Sequence, residues 1–136
     1  MLTNEIHIRV RYAETDQMGY VYYGNYAAYF EVARVEMLRT LGFNYKELEL
    51  EGVMLPVLEF SIKYFKPAYY DDLLTIKTTV PEMPGARIRF LYEIYNEKNE
   101  LLNKAETTLV FINKTTNRPV VMPAKMQSVM KSHFGN

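Results

Sequence analysis

Apolar and polar positions alternate at the start of the chain. Ile6, Ile8, Val10 and Tyr12 are separated by His7, Arg9 and Arg11, which predicts a half-buried strand. After a loop from Ala13 to Gly24 the period lengthens. Tyr26, Phe30, Ala33, Met37 and Leu41 recur every three or four positions, with Glu31, Arg34 and Arg39 off that line. This predicts one long amphipathic helix, capped by Asn25 and stopped by Gly42. A short second helix follows over Tyr45 to Leu50, with Asn44 and Glu47 spaced as a capping box and Gly52 ending it.

Beyond Gly52 the period returns to two. Leu58, Phe60, Ile62 and Tyr64 form one strand, closed by Pro67; Leu74, Ile76, Thr78 and Val80 form the next, ending at Pro81 and Pro84. Ile88, Phe90, Tyr92 and Ile94 form another, and the polar run from Asn96 to Glu100 turns the chain into a further strand holding Thr107, Leu109 and Phe111. Pro123 is placed to start a terminal helix with Met126, Val129 and Met130 on one side. The later strands are joined by short links, so they are expected to be antiparallel. One long helix against one curled sheet is an α+β layer pair. There are no repeats and no linker, so residues 1–136 are expected to form a single domain.

Composition narrows the chemistry. Hydrophobic residues make up 49% and charged residues 24%, as in ordinary globular chains. Sixteen basic and sixteen acidic residues cancel, which gives no electrostatic case for nucleic acid or an anionic membrane. Cysteine is absent, which removes disulfides, thiolate nucleophiles and cysteine metal sites. No apolar run approaches the ~20 residues of a membrane helix, and the first residues lack the apolar stretch of a signal peptide. A soluble, cytoplasmic protein is the expectation.

Elimination leaves few catalytic groups. Ser61, Ser128 and Ser132 are the only serines, and none lies in a Gly-x-Ser-x-Gly elbow. His7 and His133 are the only histidines, and neither neighbours carboxylates at metal-ligand spacing. No phosphate-cradling glycine motif occurs. Carboxylates, tyrosines and backbone amides remain. The segment Tyr12 to Tyr26 is the most informative: an acidic, glycine-containing turn runs straight into a helix start. There a carboxylate, Asp16, lies a few residues before a cluster of helix-terminal N–H groups, an arrangement suited to polarising and attacking a carbonyl. Asp16 also suits the simpler role of organising its own turn.

The same segment resembles the signature of the 4-hydroxybenzoyl-CoA thioesterase and YbgC-like branch of the hotdog-fold acyl-CoA thioesterases. The matching residues are Tyr12, Thr15-Asp16, Gly19, Val21-Tyr22-Tyr23, Asn25-Tyr26, Tyr29-Phe30-Glu31, Ala33-Arg34 and Glu36 to Arg39. Pro67-Ala68-Tyr69-Tyr70-Asp71-Asp72-Leu73 and the Tyr92 to Asn96 strand end extend the match over nearly the whole chain. The resemblance implies a hotdog fold, with a long central helix wrapped by a curved antiparallel sheet. It implies hydrolysis of the thioester bond of acyl-CoA, with no metal or organic cofactor. Asp16 falls on the family's nucleophile or general base. Tyr23 falls on the position whose backbone N–H polarises the thioester carbonyl, where many YbgC-like members carry histidine and the hydroxybenzoyl-CoA type carries tyrosine. The resemblance further implies a homodimer with sites at the subunit boundary, often stacked into a homotetramer. An acyl carrier protein thioester shares the pantetheine arm and is a second substrate class.

Around that pair, Gly19 permits the tight turn, and Val21, Tyr22, Asn25 and Tyr26 are the expected substrate contacts. Tyr12, Tyr20, Tyr22, Tyr23, Tyr26 and Tyr29 admit two readings: rim packing with hydroxyls reaching water, or an amphipathic wall for an acyl chain or pantetheine arm. Arg87 and Arg89 are placed to meet CoA phosphates or to lie on a solvated sheet face. Glu31, Arg34, Glu36 and Arg39 read as helix-surface or subunit contacts. Asp71-Asp72 reads as a solvated turn rather than a metal pair. Two other functions fit the outline: a hotdog hydratase or dehydratase, which needs a histidine beside a carboxylate, and a non-catalytic acyl-CoA or acyl-carrier binding module.

Overall fold

The periodicities above become the following elements in the computed structural model, which describes Met1–Gly135. In chain order they are β1 (Leu2–Arg9), a 3-10 turn (Tyr12–Glu14), α1 (Asn25–Thr40), α2 (Tyr45–Leu50), β2 (Val53–Met54), β3 (Val57–Tyr64), β4 (Leu73–Val80), β5 (Arg87–Tyr95), β6 (Leu101–Val110), β7 (Ile112–Asn113) and α3 (Ala124–Phe134). Five strands form one sheet in the order β1-β4-β5-β6-β3, every pair antiparallel. β2 and β7 form a separate two-stranded ribbon, which no periodicity announced.

α1 lies against this sheet. It buries Tyr26, Tyr29, Phe30, Ala33, Met37 and Leu38, the expected stripe widened by its i+1 and i+3 neighbours. The Phe30 ring stands 4.5 Å from Tyr92 of β5 and 6.0 Å from Phe60 of β3. Burial of each such large side chain stabilises the fold by about 1.5–3 kcal/mol. Leu74, Ile76, Ile88, Phe90, Ile94 and Leu109 supply the facing layer from β4, β5 and β6. Met126 and Met130 of α3 join the same core.

Four expectations are corrected. Tyr12 is not on the buried face of β1. The strand ends at Arg9 because Val10 turns its N–H to the Asp72 carbonyl and its own carbonyl to the Asp71 N–H, and Tyr12 enters the 3-10 turn 77% exposed. Asn25 is the first residue of α1, not its cap; Gly24 holds the cap position without a side-chain bond. Arg34 is buried, not on the surface, because its Nε donates to the Tyr45 hydroxyl at 3.2 Å. β3 does not bury Leu58, Phe60 and Tyr64, since it is a sheet edge flanked only by β6.

β6 also begins six residues earlier than the Thr107 to Phe111 pattern, at Leu101. A bulge explains why. Tyr95 of β5 faces Leu101 and Ile94 faces Asn103, which leaves Leu102 as the extra residue. Leu102 and Asn103 are both fully buried, so the alternation that would have announced the strand is broken.

Candidate active site

The loop between β1 and α1 is tied down at both ends before it reaches α1. Thr15 bridges Val21, and Tyr20 bridges Tyr69 in the segment after β3. The Val21 N–H donates to the Ala68 carbonyl at 2.9 Å. Between these anchors Asp16 closes a turn. Its N–H donates to the Tyr20 carbonyl at 2.8 Å, and its carbonyl accepts from the Gly19 N–H at 3.0 Å. Gly19 takes a φ of 79°, where a Cβ would be strained.

The Asp16 carboxylate divides its work. Oδ1 accepts the N–H groups of Met18 at 2.9 Å and Tyr20 at 3.3 Å. Oδ2 takes no hydrogen bond from the described residues. One oxygen thus organises the turn, and the other is unengaged beside a cleft.

That cleft has a volume of about 320 Å³. Asp16, Met18, Tyr20, Val21, Tyr23 and Tyr26 line one side; Tyr64, Phe65, Lys66 and Pro67 line the other. The lining is mostly aromatic. Burial, opposed by a bond with the Ala68 backbone, pushes the Tyr26 phenol up to about 12. Burial, and then proximity to Tyr23, also raises the Tyr64 phenol. Both hydroxyls therefore stay neutral at ordinary pH, and Asp16 is the one acidic residue among those lining the cleft.

The start of α1 supplies the complementary donors. The Asn25 and Tyr26 N–H groups are taken by the carbonyls of Tyr22 and Tyr23. Tyr22 donates its N–H to the Glu14 carbonyl at 2.8 Å. Among the described residues, no acceptor takes the N–H of Tyr23 or Gly24. The positive end of the helix dipole and an unclaimed donor thus lie at Tyr23, on the same cleft as Asp16.

Several predicted contacts are placed differently. Gly19 shapes the turn without lining the cleft. Tyr22 is 49% exposed and packs on the Tyr23 ring at 4.9 Å, as a neighbour of the lining. Asn25 donates its Nδ2 to the Glu14 carbonyl at 2.8 Å, which holds loop to helix. Arg87 does not reach the cleft within one chain. It faces Val110 of β6, whereas the cleft wall at Tyr64 faces Asn103; at ~3.3 Å per residue those points are roughly 20 Å apart. Arg89 is engaged by Glu82 and Glu106. Asp72 accepts the Tyr69 N–H and Asp71 takes a φ of 68°, so this pair shapes a turn. His7 pairs with Thr75 on the far side of the β1–β4 ribbon.

Sequence reasoning missed Glu14 and the far wall. The Glu14 carboxylate accepts the Arg11 N–H at 2.8 Å and the Tyr29 hydroxyl at 2.9 Å and pairs with the Arg11 guanidinium. The signal was present in the Arg11-x-x-Glu14 spacing beside a helix start. Tyr64 to Pro67 carried only the signal of a strand end, and nothing local shows which loop that end meets.

A long helix held by a curled antiparallel sheet, with an acidic turn at the helix start, defines a hotdog-fold protein. The chain belongs to the thioesterase-like superfamily, whose family model matches residues 10–130. It is 38% identical to YneP of Bacillus subtilis over 120 residues, 88% of this chain and 87% of that one. It is 36% identical to the acyl-CoA thioester hydrolase YbgC of Escherichia coli over 124 residues, 91% and 92% of the two chains. Among solved structures, a DHNA-CoA thioesterase from Staphylococcus aureus matches with a TM-score of 0.91 at 36% identity, covering 98% of this chain and 91% of that one.

Proposed function

We propose that this chain is an acyl-CoA thioesterase that turns an acyl-CoA and water into a free acid and CoA. The divided hydrogen bonding of Asp16 carries the reading. Oδ1 is held by two backbone amides, so the carboxylate is fixed in orientation, while Oδ2 faces no protein donor. In the proposed reaction the thioester carbonyl lies between Oδ2 and the Tyr23 N–H. Oδ2 either attacks the carbonyl carbon or takes a proton from an attacking water. In both routes charge moves to the carbonyl oxygen, where the Tyr23 amide and the helix dipole favour it. One such preorganised donor typically contributes ~3 kcal/mol to the barrier. The tetrahedral species then expels the CoA thiolate, which takes a proton to become the thiol; the water route leaves the free acid directly, whereas the nucleophile route leaves a mixed anhydride on Asp16 that water hydrolyses to the free acid and the restored carboxylate.

The aromatic walls suit the acyl group and the pantetheine arm, and Lys66, paired with Glu100, borders the opening where an anionic CoA would pass. An acyl carrier protein thioester would present the same arm. Histidine is absent from the lining residues, which weighs against the hydratase reading. The exposed edge of β3 carries Val57, Leu58, Phe60 and Tyr64. An apolar edge of this kind favours pairing with a second copy, so the proposed assembly is a homodimer, open to further stacking into a tetramer. An acyl-CoA substrate supports the cytoplasm as the proposed place of work.

The test is release of CoA thiol from short, long and aryl CoA esters, with Asp16→Asn as control. Thiol release by the wild type and a loss of at least ~100-fold in the variant are expected. Equal turnover by both proteins would remove Asp16 from the chemistry. Tight binding of every ester without thiol release would make the chain a binding module.

A further inference from the structure

The chain has no cysteine and eight methionines, so thioethers are its only oxidisable sulfurs. The fold shelters most of them. Met37, Met122, Met126 and Met130 are buried, Met83 packs against the core, and Met54 is half-buried in the β2–β7 ribbon. Met1 is exposed as the terminal residue. Met18 is the single exposed methionine inside the chain, at 69%.

A lone exposed apolar side chain is ordinary on a protein surface. The position of Met18 sets it apart. It lies on the turn between Asp16 and Gly19, and it lines the cleft together with Asp16 and with Tyr23, Tyr26 and Tyr64. Its backbone is fixed, because its N–H donates to Asp16 Oδ1 at 2.9 Å. A thioether is soft and polarisable and packs well beside aromatic rings. The side chain therefore adds apolar surface to the cleft, while its exposure leaves the sulfur open to any small oxidant that reaches the opening.

We propose that Met18 is an oxidation site, at which a peroxide turns one apolar wall of the cleft into a polar one. In this step the sulfur lone pair attacks one oxygen of hydrogen peroxide. An S–O bond forms and the O–O bond breaks. The departing hydroxide takes the proton of the transferred oxygen and leaves as water. The sulfur is oxidised to the sulfoxide, and the peroxide is the oxidant that is reduced. A sulfoxide is polar and chiral where the thioether was apolar and flexible. Its oxygen is an acceptor that an apolar acyl group cannot satisfy, so a filled cleft desolvates it at a cost to binding. The Met18 N–H keeps its bond to Asp16, because oxidation touches only the side chain. The change therefore falls on substrate affinity rather than on the fold. That kinetic consequence rests on the thioesterase reading above, whereas the oxidation itself does not.

The test treats the folded wild type with a graded series of hydrogen peroxide concentrations and follows each methionine by peptide mass spectrometry. Met18 is expected to gain one oxygen atom well before every other internal methionine. The treated protein should melt as the untreated one does. Its KM for an acyl-CoA ester should rise about fivefold or more, with a smaller change in kcat. The two methionine sulfoxide reductases, one for each epimer, should restore the KM. Met18→Leu keeps an apolar side chain and loses the sulfur. Whatever KM that variant starts with, peroxide should leave it unchanged, and because Met1 is still present the same result assigns the effect to position 18. Another internal methionine that oxidises as fast, a leucine variant that loses as much as the wild type, or an oxidised cleft with its original KM overturns the proposal. A wild type that releases no thiol would sink the thioesterase reading, while the order of oxidation and the change in ester affinity at equilibrium still decide Met18.

Discussion

The Tyr29 hydroxyl, on the second turn of α1, donates a 2.9 Å hydrogen bond to Glu14 Oε1. Glu14 lies two residues before Asp16, so the bond fastens the helix that offers the Tyr23 amide to the turn that carries the carboxylate. Burial, reinforced by Glu14, raises the Tyr29 phenol well above its ordinary range, so it remains a donor. Tyr29→Phe removes the bond and keeps the ring against Tyr26, 5.9 Å away. The expected cost is about 1 kcal/mol, read as a fall of about 3 °C in melting temperature. Turnover should fall with it, because the loop and the helix lose a shared constraint. Full turnover at an unchanged melting point would show that the other bonds of Glu14 suffice.

Glu14 gives the fold an acid sensitivity with a definite sign. Burial raises its carboxyl, but the Arg11 N–H, the Tyr29 hydroxyl and the Arg11 guanidinium together hold it below its ordinary value of 4.5. A group whose value falls on folding stabilises the fold when ionised. That contribution is present above pH 4.5 and is lost as pH falls through the lowered folded value. Glu14→Gln keeps an acceptor and loses the charge. The variant should be the less stable protein at neutral pH and should lose less stability than the wild type on acidification, as chemical denaturation across pH 3 to 7 will measure. Parallel curves for the two proteins would assign the acid response elsewhere.

The α1 stripe and the helix-facing side of β4 and β5 were legible because each residue there meets the core it was patterned for. Tyr26, Phe30, Ala33 and Met37 kept their predicted face, and so did Leu74, Ile76, Ile88 and Phe90. Pattern failed where tertiary pairing, not burial, sets the outcome. Tyr64 and Phe60 read as core residues in isolation, but β3 is an edge, and only the strand order makes it one. Arg34 read as a surface charge because the Tyr45 hydroxyl that receives it lies on another helix. Asp16 and Tyr23 could be placed on one cleft from the sequence because they sit on one continuous loop-to-helix segment. Phe65 and Lys66 could not be, because the Tyr20–Tyr69 bridge brings them to that segment from afar.

The turn-forming role of Asp16 can be separated by mutation from the catalytic role proposed for it. Asparagine keeps an oxygen at Oδ1 for the Met18 and Tyr20 amides, whereas alanine keeps none. Asp16→Asn should therefore melt near the wild type, and Asp16→Ala should lose about 1 kcal/mol from the turn. Both should lose hydrolysis to a similar extent if only the charged oxygen acts in the chemistry. An asparagine variant that melts as low as the alanine variant would mean that the turn needs the charge itself.

Gly19 isolates backbone strain from packing. Its φ of 79° lies in the left-handed region, and a Cβ built there meets no atom within 4 Å. Gly19→Ala therefore introduces no clash, and its cost is conformational, about 1–2 kcal/mol. The turn can relieve the strain only by shifting the Asp16 carbonyl bond that the Gly19 N–H makes at 3.0 Å. The variant should thus combine a lower melting temperature with a lower kcat, while its KM for a CoA ester changes less. A stable variant with full kcat would show that the turn tolerates another geometry.

The β3 edge sets the final expectation. Its outer side faces no strand, and Val57, Leu58 and Phe60 are 47%, 48% and 42% exposed. Natural sheet edges are normally short, charged or covered, because a bare apolar edge pairs with whatever strand it meets. Antiparallel addition of a second β3 would satisfy its free backbone groups and bury those side chains under a two-fold axis. Leu58→Glu places a like charge on both copies across that axis and leaves the chain's own core untouched, since Leu58 is not among its buried residues. The wild type is expected to scatter light as two chains or four at micromolar concentration, and the variant as fewer. Hydrolysis by the variant should then rise with protein concentration as pairing is restored, because Phe65, next to this edge, also lines the cleft. A wild type that stays a single chain at those concentrations would leave the edge without its partner and remove the dimer from the proposal.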